Sequence, residues 1–186
     1  MTDYTLQPIS GKTLSRRLPE GTALVLEGGG LRGYYSCGVM EAFMEKDLLF
    51  PYIIGVSAGA ANALSYISGQ PGRSREIIEH YVGNPDYVST RNLLIKHTMF
   101  DFDYIFGTVP EKHIFFDWDK FHEQDTRFLT GAMNCADGKT IWFEKDTLKA
   151  PFMASRASCS VPLITKIQHY MGYDLLDGGI SDPIPI

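Results

Sequence analysis

Cysteine and histidine are scarce in this chain, and neither falls into a pattern. The three cysteines, Cys37, Cys135 and Cys159, are an odd number at irregular spacing. That argues against a disulfide scaffold and for a reducing, cytoplasmic setting. The five histidines, His80, His97, His113, His122 and His169, show no HExxH spacing and no compact grouping with cysteine, so neither a metal nor another cofactor is expected. Long apolar runs are missing too. None approaches the roughly 18 residues a spanning helix needs, and the opening MTDYTLQPIS lacks the apolar core of a signal peptide. Positive charge is not in excess: 17 Lys and Arg stand against 22 Asp and Glu, a net charge of -5. This balance points away from nucleic acid as a partner. There is no internal repeat, low-complexity tract or interdomain linker. The expectation is a soluble protein.

What the sequence does contain is enough apolar material for one core, with 44% hydrophobic residues in 186. Residues 1–20 are polar and aperiodic and read as an N-terminal arm, leaving 21–186 as the domain. Thr22–Leu26 is a short apolar run of buried-strand type, followed by a glycine-rich break. Tyr34–Leu48 has helical periodicity, with Val39, Met40, Phe43 and Met44 as its apolar face; Gly38 inside it marks a place of close packing. Residues 50–56 give a second strand and Ala58–Ile67 an alanine-lined helix. This alternation predicts an α/β fold with a mainly parallel sheet. A further helix is predicted over Ser74–Val82, and Asp146–Ala157 is helical with Pro151 as an interruption. Two hairpins are predicted, one turning at Asp137-Gly138 and one at Met171-Gly172. The aromatic segment around 84–122 resists assignment: Met99–Phe106 fits a strand or a short helix, and its rings fit a core or the lining of a channel.

Ser57 lies between Gly55 and Gly59, after the second strand and before the alanine-lined helix. That is the layout of a nucleophile elbow, which lifts a serine hydroxyl to the end of a sheet. The N–H of Ala58, at the helix start, is placed to bind a developing oxyanion. The competing reading is a tight turn in which Ser57 caps the helix. After the first strand, Gly28-Gly29-Gly30-Leu31-Arg32-Gly33 can turn successive N–H groups toward negative charge. It also satisfies the spacing of a dinucleotide loop, but no acidic residue stands at the end of the second strand and no Walker lysine is present. An oxyanion site fits better, since loops after neighbouring parallel strands open on one sheet edge. Arg32 offers to pin the loop to a carboxylate, or to meet an anionic head group.

A serine nucleophile needs a base, and no histidine follows a strand in a suitable loop. Asp177 does, after Leu175-Leu176 and before Gly178-Gly179. A carboxylate is a weak base in water, yet it can serve in a dry pocket. A surface Asp-Gly turn is the alternative.

Four segments in order resemble the patatin-like phospholipase family. They are Leu26-Glu-Gly-Gly-Gly-Leu-Arg-Gly33, Gly55-Val-Ser-Ala-Gly59, Arg156-Ala-Ser-Cys-Ser-Val-Pro162, and Leu176-Asp-Gly-Gly179 with Asp182 and Pro185. The resemblance implies a three-layer α/β/α fold and a Ser57–Asp177 dyad in place of a triad. It implies oxyanion donors around Gly29, Gly30 and Leu31, with Arg32 supporting the loop. It also implies hydrolysis of lipid acyl esters without a metal, with peripheral contact at a membrane surface. A thioesterase or small-ester hydrolase with the same dyad, and a non-catalytic lipid- or anion-binding module, are the competing functions. Family members commonly carry about a hundred further residues after the Asp-Gly-Gly element, so the expectation is a chain incomplete at its C-terminal end.

Overall fold

The computed structural model describes residues 9–186; the first eight residues of the expected arm lie outside the described residues. The strands are β1 (Arg16–Arg17), β2 (Ala23–Leu26), β3 (Leu48–Leu49), β4 (Tyr52–Val56), β5 (Arg127–Asn134), β6 (Thr140–Glu144), β7 (Gln168–Tyr170) and β8 (Tyr173–Asp177). The α-helices are α1 (Gly33–Glu45), α2 (Ser57–Ile67), α3 (Arg73–Tyr81), α4 (Thr90–Lys96), α5 (Trp118–Glu123) and α6 (Met153–Ser158). A wide helical segment over Tyr104–His113 replaces the undecided strand or helix of the aromatic region.

The main sheet runs β2-β4-β5-β8-β7, with β6 added to β5. Its site-bearing part, β2-β4-β5, is parallel; the two predicted hairpins extend it as antiparallel strands. β4 is buried on both faces from Ile53 to Val56, as a strand between two helical layers must be. β2 differs from its expected burial. It lies at the edge of the sheet, and Ala23 and Val25 are exposed.

β5 is the ruler on which the site is measured. Its partner β6 spans Leu129–Met133 and so occupies one edge. β4 and β8 must therefore share the other. Along that edge Gly131 pairs with Val56 and the next residue, Ala132, pairs with Asp177. The C-terminal ends of β4 and β8 thus meet head to head.

α1 ends at Glu45, short of the expected Leu48, because Leu48–Leu49 pair with β1. Its buried face is Cys37, Met40 and Met44, while Val39 is exposed. Gly38 does not mark close packing: a Cβ there would meet nothing within 4 Å. The helix expected over 146–157 is shorter, starting at Met153, after Pro151. Residues 9–20 are less free than an arm. Leu14 is 2% exposed, and its N–H donates to Gln124 Oε1 at 3.2 Å.

Candidate active site

Ser57 is the first residue of α2 and has φ +52. A non-glycine residue held there is strained by about 1–3 kcal/mol and needs surrounding support. The support is specific. Its N–H donates to Ser158 Oγ at 2.7 Å, and Ser158 Oγ donates to the Gly131 carbonyl at 2.6 Å. Gly55 and Gly59 let α2 start hard against the sheet. A Cβ on Gly55 would stand 3.0 Å from the Ala60 nitrogen, and one on Gly59 would stand 2.5 Å from the carbonyl oxygens of Leu26 and Glu27.

Ser57 Oγ donates to Asp177 Oδ2 at 2.7 Å, linking side chains 120 residues apart in sequence. The other carboxylate oxygen, Oδ1, accepts the Gly179 N–H at 2.8 Å. The Asp177 N–H donates to the Ser160 carbonyl at 2.8 Å. Gly178 has to be glycine for this approach, since a Cβ would lie 2.2 Å from the Gly131 oxygen. Both side chains are buried, Ser57 at 9% and Asp177 at 6% exposure. Burial raises the Asp177 carboxyl above its ordinary value, and the hydrogen bonds from Ser57 and Gly179 oppose that rise.

The glycine loop stands beside Ser57. A Cβ on Gly28 would be 3.0 Å from Ser57 Cβ and 3.7 Å from its Oγ. Gly29 and Gly30 have φ +153 and +55, and Gly30–Arg32 forms a short helical turn. Such a turn and the start of α2 both present N–H groups that have no acceptor within their own helix. Gly30, Leu31 and Ala58 line the same cavity as Ser57. Arg32 is exposed, and among the described residues it joins no ion pair. Its Nε lies 3.5 Å from where a Gly29 Cβ would sit, so the guanidinium folds back over its own loop. Gly33 begins α1, and its carbonyl accepts Asn62 Nδ2 at 3.1 Å, tying the loop to α2.

The cavity has a volume of about 340 Å³. The aromatic segment divides at its wall. Phe100, Phe102 and Phe106 line it, while Phe116 and Trp118 pack in the core with Phe121 and Phe152. Phe115 is 54% exposed. Cys159 also lines the cavity, and burial together with the nearby Asp177 carboxylate pushes its thiol well up, away from the reactive thiolate. Four of the five histidines have partners away from Ser57: His80 with Glu76 at 3.2 Å, His169 with Asp174 at 2.5 Å, His122 stacked on Trp118, and His113 beside Tyr81 and Tyr104. Among the described residues no group of three or more His, Cys, Asp and Glu is placed to hold a metal ion.

Ser158 belongs to the third family-like segment, but its role is not legible in the sequence. Its signal was weak, because a serine that supports a backbone amide looks like any other serine. Arg73 carries no signal in the sequence either; a charged residue opening a helix ordinarily faces solvent, and this one is 5% exposed.

The family model described as "Patatin-like phospholipase" matches residues 24–186. YjjU of Escherichia coli (strain K12) is 30% identical over 186 residues, covering 98% of this chain and 52% of that protein. The NTE family protein Rv1063c of Mycobacterium tuberculosis (strain ATCC 25618 / H37Rv) is 26% identical over 171 residues, 88% of this chain and 44% of that one. The chain therefore spans about half the length of these relatives. Among solved structures, VipD from Legionella pneumophila superposes on the whole chain and on 52% of its own, with a TM-score of 0.56 at 14% identity, a likeness of fold.

Proposed function

Since the chain belongs to the patatin-like phospholipase family, we propose that it hydrolyses acyl esters of lipids with Ser57 as nucleophile and Asp177 as base. The 2.7 Å hydrogen bond from Ser57 Oγ to Asp177 Oδ2 carries this reading. It joins a hydroxyl that lines a largely apolar cavity to a buried carboxylate of raised pKa. A base with a pKa nearer the working pH holds the transferred proton better than an ordinary carboxylate does.

Ser57 Oγ attacks the ester carbonyl carbon as its proton passes to Asp177 Oδ2. The carbonyl electron pair moves to oxygen, and the oxyanion rests against N–H groups of the Gly28–Arg32 loop and of Ala58. Collapse expels the alcohol, which takes the proton from Asp177, and leaves an acyl ester on Ser57. Water then attacks that ester while Asp177 accepts a proton from it, and the second collapse returns the proton to Ser57 and releases the carboxylic acid. Glycerophospholipids and neutral lipids are the proposed substrates. Peripheral contact with a lipid surface is the proposed mode of access; among the described residues no helix is long and apolar enough to cross a membrane. A reducing, cytoplasmic setting is the proposed location, on the odd number and irregular spacing of the three cysteines.

A fluorophosphonate probe tests the assignment. Covalent labelling is expected on Ser57, lost in Ser57→Ala and strongly slowed in Asp177→Asn. A folded wild-type protein that takes no label would instead favour a lipid- or anion-binding module.

A further inference from the structure

Arg73, a buried cation, stands in the wall of the cavity that Ser57 also lines. The cavity follows one face of α2 from Ser57 and Ala58 through Ala61 to Leu64. At about 1.5 Å per residue that is a depth of about 10 Å. At this level it meets the first residues of α3, where Arg73 lines it. Arg73 Nη1 donates to Ser65 Oγ at 3.1 Å, Nε to the Phe115 carbonyl at 3.2 Å, and Nη2 to the Ile114 carbonyl at 3.4 Å. The guanidinium carbon also lies 4.9 Å from the centre of the Phe116 ring. Among the described residues no carboxylate pairs with it. Between Ser57 and Arg73 the lining is largely apolar, including Ile77, Ile78, Phe102 and Phe106, with Asn62 and Ser74 as polar members.

We propose that this cavity is a length-gauged pocket for one unbranched acyl chain of about eight to twelve carbons, with Arg73 as the residue that sets the limit. The proposal rests on the reading of Ser57 as nucleophile, which fixes the ester carbonyl at the mouth. Two measures of the cavity agree. An extended chain advances about 1.2 Å per bond, so about 10 Å of depth takes about eight or nine bonds. A methylene fills about the volume of a water in the liquid, about 30 Å³, so the whole cavity holds about eleven carbons. The stop is stiff for a physical reason. A longer chain has to push the guanidinium off its acceptors, leaving buried carbonyls of Ile114 and Phe115 unpaired in an apolar wall. Apolar side chains at the floor would yield by changing rotamer; a side chain tied through three nitrogens does not.

Binding and turnover ladders test this separately. Calorimetry of primary alkanols from C4 to C14 with the Ser57→Ala protein reads the pocket without chemistry. Affinity is expected to rise about fourfold per methylene and to stop rising between C8 and C12. Arg73→Ala and Arg73→Lys each loosen the floor and are expected to move that break to longer chains. Ala61→Phe fills the channel about one turn below Ser57 and is expected to move the break to shorter chains, with at least a tenfold loss for decanol. Affinity that climbs unbroken to C14 would overturn the gauge. So would breaks that stay in place in the folded variants at positions 61 and 73. With the wild-type protein, kcat/KM for p-nitrophenyl esters from C2 to C16 is expected to peak between C8 and C12. A binding break without turnover of any ester would sink the hydrolase reading and leave the pocket standing. Turnover indifferent to chain length would do the reverse. The wild-type ester ladder decides the limit even where a variant does not fold.

Discussion

The backbone N–H of Ser57 rests on the hydroxyl of Ser158 at 2.7 Å, and that hydroxyl is in turn fixed by the Gly131 carbonyl at 2.6 Å. Ser158 closes α6, and Gly131 is the β5 residue paired with Val56. One side chain therefore ties the strained elbow to the strand beside it and holds Ser57 at φ +52.

Removing that tie leaves the buried N–H of Ser57 and the Gly131 carbonyl short of a partner. Ser158→Ala is expected to lower unfolding free energy by about 1–3 kcal/mol, measured from the denaturant midpoint. It is also expected to slow fluorophosphonate labelling of the protein that remains folded, because the hydroxyl of Ser57 loses its aim. Full labelling rate with reduced stability would show that Ser158 supports the fold alone.

Asp177 sets the pH behaviour. Its carboxyl is raised above 3.8, chiefly by burial. In the proposed mechanism Asp177 is the base and must be ionised, so kcat/KM is expected to fall on the acid side with a midpoint above the ordinary carboxylate value. A raised folded-state pKa means the fold favours the protonated form. The stabilising contribution of Asp177 is thus complete below its unfolded pKa and lost as pH rises through the folded one. At neutral pH the ionised group weighs against folding. Asp177→Asn is therefore expected to hold or raise Tm while cutting kcat by at least about a hundredfold, and a large fall in Tm would contradict this account.

Two glycines near the elbow are expected to fail in different ways. Gly28→Ala places a methyl 3.0 Å from Ser57 Cβ, crowding the space where the proposed mechanism puts its tetrahedral intermediate. Activity should fall by about 10²–10³ with little change in the thermal melt. Gly59→Ala drives its methyl to 2.5 Å from two backbone oxygens, and neither oxygen belongs to a side chain that can turn aside. A loss of about 1–3 kcal/mol or more is expected, seen as a lowered melt or insoluble protein. Equal effects of the two substitutions on melting would refute the distinction.

Gly138 provides the control. It has φ +71 in the β5–β6 turn, and a Cβ there meets nothing within 4 Å. Gly138→Ala is expected to destabilise by about 1 kcal/mol through backbone conformation alone, with kcat/KM unchanged. A drop in activity would mean that the hairpin bears on the site through β5.

The sequence alone determined what depends on local chemistry. Short apolar runs made β2 and β4, small residues made α2, and Asp137-Gly138 and Met171-Gly172 made the hairpin turns, because each needs only neighbouring residues to choose its backbone. The same locality made Ser57 and Asp177 legible as candidates, one at the elbow and one at a strand end. Other features depend on partners distant in the chain, and only the tertiary structure decided them. The register of β5 brings Val56 and Asp177 to adjacent residues, and with the Ser158 tie it allows the 2.7 Å between hydroxyl and carboxylate. Packing of α3 against α2 placed Arg73, an ordinary charged residue in sequence, in the buried wall of a cavity. The edge position of β2 and the exposure of Val39 were decided in the same way, since burial depends on what the rest of the chain lays against a surface.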